Sequence, residues 1–239
     1  MALYRDSAVV LRTYKLREAD RIVVLMTRGH GKVRAVAKGV RKTGSKFGSR
    51  LEPGSAIAVQ LYEGRGDLDG VSQTETTESH PLTRGDLSRM GHAAAILEAV
   101  DQVAQEGEPD VRLHDMLVGG LGVIERSNPP AVVAGFYLKL LGAEGVAPDL
   151  NSCSSCGESP DRLFWAPEVG ALHCGSCGGG RPLSPETLTL ARAVLGGGLN
   201  AVLDLPAGPV VHDLEEFASA LLENHIERRL RAIRVLHDG

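Results

Sequence analysis

The stretch Gly31–Arg50, GKVRAVAKGVRKTGSKFGSR, decides how this chain is read. Its first half alternates. If Val33, Ala35 and Ala37 face one side of a strand, then Lys32, Arg34, Val36 and Lys38 face the other, because strand side chains alternate with a period of two. The second half places Arg41, Lys42, Lys46 and Arg50 on a loop punctuated by Gly39, Gly44 and Gly48, where mobility is expected. No Asp or Glu interrupts the stretch. A basic strand face running into a basic loop suits a polyanion.

Outward from this stretch, residues 1–78 divide into short β-branched and apolar runs separated by turns. Ala8–Tyr14 and Arg21–Thr27 precede the basic strand, and Gly29, His30 and Gly31 turn into it. Pro53 and Gly54 punctuate the chain before Ile57–Glu63, and Gly64 and Gly66 precede a weaker run at Leu68–Thr74. Five strands without a helical pattern predict a small closed barrel, which leaves no exposed sheet edges. An OB-type barrel is the first choice and an SH3-like barrel the second.

From Leu82 the apolar period becomes helical. Leu87, Met90, Ala94 and Leu97, flanked by Ile96, Val100 and Val103, recur at three and four and predict one buried helix face; a second helix is expected over Val111–Ile124. A third follows Asn128-Pro129-Pro130, buries Val133, Phe136, Tyr137, Leu140 and Leu141, and stops at Gly142 and Gly145. Ser184 with Pro185 signals another helix start, and Gly196–Gly198 its stop. Leu214, Phe217, Leu221, His225, Ile226, Leu230 and Ile233 form a final stripe. This predicts a buried His225, with Arg228, Arg229, Arg231 and Arg234 on the other face near the favourable end of the helix dipole. The organisation expected is α+β and multidomain: an OB-fold over 1–78, a helical domain in two parts at 79–150 and 183–239, and a metal module at 151–182 between them.

The net charge of −4 hides an asymmetry. Residues 1–50 carry 13 Lys/Arg against 3 Asp/Glu, leaving 13 against 27 for the remainder. The basic end predicts attraction to nucleic acid, and the acidic remainder is expected to keep away from phosphate and to serve protein contacts. No apolar run is long enough for a membrane span, and MALYRDSAVV has no secretion-signal core, so a cytoplasmic protein without membrane contact is expected.

All four cysteines fall in one pattern, Cys153-Ser-Ser-Cys156-Gly and Cys174-Gly-Ser-Cys177-Gly, with 17 residues between the pairs. A two-residue gap lets both thiolates of a pair reach one ion from a tight turn, and the following glycine lets the backbone curl. Two such turns close a tetrahedral Zn2+ site of ribbon type. Leu163–Ala166 and Val169–Leu172 predict a hairpin between them. A redox dithiol or paired disulfides are the competing readings. Four sulfurs leave no position for water or substrate, so one structural zinc ion is expected.

No catalytic pattern is visible. The remaining histidines are scattered, Thr43-Gly44-Ser45-Lys46 lacks the order of a phosphate loop, and the glycine runs at 119–122 and 178–180 follow no buried strand. Tyr14, Phe47 and Tyr62 are candidates for stacking on bases, with barrel core as the other place for them.

The combined pattern resembles the bacterial DNA repair protein RecO family. The resemblance rests on Tyr14-Lys15-Leu16 through Ala19-Asp20-Arg21, the Lys38-Gly39-Val40-Arg41 turn, Leu141-Gly142 with Pro148, and the paired cysteines, and it runs along essentially the whole chain. It implies a recombination mediator without catalytic turnover, built from an OB-fold, a helical domain and, in many members, a zinc module. The implied partners are single- and double-stranded DNA, RecR and the C-terminal tail of single-stranded DNA-binding protein (SSB). The implied activities are annealing of complementary strands and loading of RecA at gaps. On the residues alone, the DNA-binding set is Lys32, Arg34, Lys38, Arg41, Lys42, Lys46 and Arg50. A zinc-ribbon transcription or RNA-binding factor, and behind it a nuclease, remain as alternatives at this point.

Overall fold

A computed structural model describes residues 2–45, 47–64, 66–160, 162–167 and 170–233. Lys46, Val169 and Arg234 lie outside the described residues. By contacts the chain forms two units, Met1–Arg126 and Ser127–Gly239.

In the first unit, β1 (Leu3–Leu16), β2 (Asp20–Thr27), β3 (Gly31–Ala37), β4 (Ala56–Tyr62) and β5 (Asp69–Glu78) close a barrel in the order β1-β2-β3-β5-β4. All neighbours pair antiparallel except β3 and β5, which meet in parallel at Ala35↔Asp69 and Val36↔Gly70. This is the five-strand OB-like barrel expected. Ala35 and Ala37 point into its core with Val10, Val23, Leu25 and Leu61, and Val33 packs against them, as the alternation requires. β2 is buried along Val23–Met26 because both of its faces are covered. Its inward residues meet the barrel core, and its outward face lies on the side where β1 contacts the helices that follow the barrel.

The basic loop is a chain of turns with two buried anchors. Lys42 N–H donates to Gly39 O at 3.1 Å and Ser45 N–H to Lys42 O at 3.0 Å. Phe47, 1% exposed, plugs the barrel core beside Leu51 of a short 3-10 turn, Gly48–Leu51. Phe47 is therefore a core residue and unavailable for stacking, and hydrogen-bonded turns lie where the glycines suggest mobility.

Helices α1 (Pro81–Gly85), α2 (Leu87–Val103) and α3 (Val111–Arg126) complete the unit. The Asp86 carboxylate caps α2 by accepting from Arg89 N at 2.8 Å, and Asp110 caps the start of α3 by accepting from Leu113 N at 2.8 Å. The buried apolar residues of α2 are Ala93, Ala95, Ile96, Leu97, Ala99 and Val100, whereas Leu87 and Met90 are 85% and 49% exposed and Ala94 also faces solvent. Ile96, Leu97 and Val100 are thus buried as expected, whereas the earlier part of the stripe, Leu87, Met90 and Ala94, is turned to solvent. The face that packs is rich in alanine, which allows close approach to α3 and β1.

In the second unit, α4 (Val132–Glu144) is central and packs on α5 (Pro185–Leu195), α6 (Asn200–Leu203) and α7 (Pro209–His225). It is buried on nearly every side, including Val133, Phe136, Tyr137, Leu140 and Leu141. A Cβ on Gly135 would stand 2.8 Å from Leu199 Cδ1, so α6 approaches α4 where a side chain is missing. Gly145, at φ +74°, ends α4 in the left-handed region glycine favours. Ser184 caps α5 by accepting from Thr187 N at 3.0 Å.

Helix α7 stops at His225, earlier than its apolar stripe suggests. Glu227 takes φ +51°, Arg228 N–H turns back to Glu223 O at 3.1 Å, and Leu230 N–H reaches Glu223 Oε1 at 2.7 Å. Leu230 and Ile233 are buried beyond the helix, while His225 is exposed rather than buried. Arg228, Arg229 and Arg231 belong to the chain past the helix end, not to its outer face.

Candidate nucleic-acid interface and metal centre

The outer face of β1–β2–β3 is ordered by register. Arg12 and Arg34 both pair with Val24, and Tyr14 and Val36 both pair with Ile22. Two rows therefore lie side by side, Arg12–Val24–Arg34 and Tyr14–Ile22–Val36. Tyr14 is 42% exposed, and the Arg12 guanidinium stands 5.0 Å from its ring centroid, within cation–π range. Of the three aromatics with a possible stacking role, Tyr14 has an open face; Tyr62 is half-buried with its ring over Gly70.

The barrel end next to these rows collects the basic turns. Gly39 N–H donates to Asp20 Oδ1 at 2.7 Å, Arg41 N–H to Ala19 O at 3.0 Å, and Arg41 Nη1 to Glu18 O at 3.0 Å. These bonds tie the Lys38–Lys42 turn to the β1–β2 turn, whose Arg17 adopts φ +56°. Lys38, Arg41 and Lys42 are exposed there, together with Lys15 and Arg17, two cations the sequence reading left out. Their position beside the β1–β2 turn, which the Lys38–Lys42 turn bonds to, is the signal that would have found them. Arg50 is exposed in the 3-10 turn.

Lys32 and Arg34 have a different setting. Lys32 has a side chain only 14% exposed; its Nζ donates to Asp101 O at 2.7 Å and stands 3.9 Å from Asp101 Oδ1. Desolvation pushes its ammonium pKa below the ordinary lysine value. Asp101 is also paired with Arg12 Nε at 2.9 Å, and Arg34 Nε lies 4.0 Å from Glu106 Oε1. The basic face of β3 is real, but acidic residues of the α2–α3 segment are folded onto it. The expectation that the acidic remainder stays apart from the basic end fails here, because the helices pack on the barrel.

In the second unit, Cys153, Cys156, Cys174 and Cys177 converge, with all four Sγ atoms within 4.8 Å of one another. Each pair sits on a tight turn, with Gly157 N–H donating to Cys153 O at 2.9 Å and Gly178 N–H to Cys174 O at 3.3 Å. Strands β6 (Phe164–Ala166) and β7 (Ala171–His173) form the expected hairpin, and β8 (Arg181–Pro182) adds to the other edge of β6. Trp165 meets Phe217 of α7 edge-on with centroids 5.2 Å apart, and Arg181 pairs with Asp213 at 2.9 Å and with Glu216. The module is held to α7 by both contacts.

The four thiols fit one tetrahedral ion. Metal–sulfur bonds of ~2.3 Å place the sulfurs of a tetrahedron about 3.8 Å apart, and Cys156 Sγ to Cys174 Sγ is 3.8 Å. That separation is far too long for a disulfide. Backbone amides, foremost that of Cys174, hold the Cys153 thiol down at about 5, whereas hydrogen bonding from Cys156 pushes Cys177 up to about 12. A bound cation would favour the thiolate form of its sulfur ligands.

The N-terminal family model of recombination protein O matches residues 1–80, and the C-terminal model matches 84–233. The chain is 39% identical to the DNA repair protein RecO of Streptomyces griseus over 98% of each chain. It is 42% identical to that of Nocardioides sp. over 97% of this chain and 98% of the relative, and 40% identical to that of Cutibacterium acnes over 99% of each. Matched along nearly its full length by both family models and by these relatives, the chain belongs to the RecO family.

Proposed function

We propose that this chain is a DNA repair and recombination mediator that binds single- and double-stranded DNA through the basic end of its barrel and the part of the outer face around Arg12 and Tyr14 that stays exposed. The observation that carries the reading is the joining of exposed Lys38, Arg41 and Lys42 to the Arg12–Tyr14 face through the hydrogen-bonded β1–β2 turn. Phosphates on the cations release counterions, and bases lie against Tyr14, so binding is salt-sensitive and tolerant of sequence. Strands neutralised without a grip on their base edges are free to pair, which is the basis for annealing. Membership of the family supports action with RecR and the SSB tail in loading RecA, in the cytoplasm at the nucleoid. Among the described residues no helix is long and apolar enough to cross a membrane. The four-cysteine centre holds one Zn2+ that fixes the fold of the module itself and takes no part in chemistry, so the protein acts by binding and not as an enzyme.

The test is annealing of complementary strands coated with SSB, measured with and without RecR beside affinity for unrelated single-strand sequences. Sequence-tolerant binding with faster annealing is expected. Binding confined to one promoter or RNA sequence, without annealing, would return the reading to a zinc-ribbon factor.

A further inference from the structure

We propose that residues 105–108 form an acidic strap that competes with nucleic-acid phosphate for the outer face of β3, so that the barrel carries its own brake on DNA binding. The inference deepens the DNA-binding reading and rests on it. The segment from Asp101 to Asp110, DQVAQEGEPD, contains four acidic residues and no Lys or Arg. It leaves α2 and runs beside β3 as an added strand: Lys32 N–H donates to Gln105 O at 3.1 Å, Gly107 N–H donates to Lys32 O at 3.1 Å, and Lys32 and Glu106 form a parallel bridge. The approach is close at Gly31, φ +68°, where a Cβ would stand 2.1 Å from Glu108 O.

Two sets of charges with different roles follow. Asp101, nearly buried, and Lys32 anchor the segment. Glu106, 55% exposed, stands 4.0 Å from Arg34, itself 39% exposed, and Glu108 follows with its side chain in solvent. An ion pair this open and this long adds little to folding. Its carboxylate nevertheless occupies the position a phosphate would take on Arg34, beside Arg12 in the same cross-strand row. The strap thus lowers affinity for weakly held strands and yields when a polyanion supplies several contacts at once.

The test uses the full chain with Glu106→Gln/Glu108→Gln, Glu106→Gln alone, and a control pair, Glu75→Gln/Glu186→Gln, that removes the same charge elsewhere. Affinity for a labelled single-stranded oligonucleotide is measured at low and high salt. The strap pair is expected to bind about three- to tenfold tighter at low salt and within about twofold of the unmodified protein at high salt, with Glu106→Gln alone intermediate. Equal or weaker binding by the strap pair, while the unmodified protein binds, overturns the strap and leaves the DNA reading standing. A gain as large in the control pair also overturns it, since net charge is then the cause. Failure of every protein to bind DNA overturns both readings.

Discussion

Replacing Lys38, Arg41 and Lys42 together with alanine should weaken single-strand binding chiefly by flattening its salt dependence, whereas Lys32→Ala should leave that dependence intact and lower stability instead. The contrast comes from geometry. Lys38, Arg41 and Lys42 are exposed at the barrel end, while Lys32 is 14% exposed and directed at Asp101. Each phosphate contact to a single strand contributes about 0.7 to the slope of log affinity against log salt, so three lost contacts lower it by about 2. Between 50 and 200 mM salt, the unmodified protein should lose roughly fifteen- to twentyfold more affinity than the triple variant. Lys32→Ala removes one partner of a buried carboxylate that keeps Arg12 at 2.9 Å, for a cost of about 1–3 kcal/mol. Fluorescence anisotropy over a salt series and urea unfolding separate the effects. A triple variant with an unchanged slope, or a Lys32→Ala protein whose slope falls by a full contact without loss of stability, refutes the assignment.

Tyr14→Ala should weaken single-strand binding by about 1–3 kcal/mol, roughly 5- to 150-fold in Kd, while Tyr14→Phe retains most of the affinity; equal titrations of the three proteins check this. Phe47→Ala should destabilise the barrel by about 3–5 kcal/mol, because it empties a fully buried site, and the loss is read from the denaturant midpoint. Metal analysis should find one zinc per chain, and Cys174→Ser should lower that content together with the melting temperature. Full zinc occupancy in the Cys174→Ser protein would count against the four-sulfur site. Trp165→Ala should loosen the module from α7 while the metal stays bound, seen as faster hydrogen exchange in β6 and β7 with zinc content unchanged.

The barrel was legible because its signals are local. Alternation in Gly31–Ala37 put Ala35 and Ala37 inside, and turn residues separated the strands. The first residues of β1 were missed because Arg5, Asp6 and Ser7 hide a strand that pairs with β4 along Leu3–Val9. In α2, apolar residues surround the axis, so two phases fit the period equally. The choice between Leu87–Met90 and Ala93–Ile96 is made by how closely α3 and β1 approach. The end of α7 was hidden for a related reason: between Leu214 and Ile233 no Gly or Pro marks the turn that Glu227 makes at positive φ.

The two candidate sites differ in how far sequence could reach. A cluster made from two Cys-x-x-Cys turns is short in sequence, and one hairpin brings its four thiols together, so spacing alone indicated that they converge. A charged surface is defined by what lies opposite it, and Asp101 and Glu106 lie about 70 residues from Lys32 and Arg34 along the chain. Counting cations in Gly31–Arg50 therefore located the basic strand but could not divide its charges. Lys32 neutralises a buried carboxylate, Arg34 faces an exposed one, and Lys38, Arg41 and Lys42 stand in solvent. That division makes the interface testable residue by residue: loss of charge at the barrel end should alter the salt slope, loss of Lys32 should alter stability, and loss of Glu106 should raise affinity.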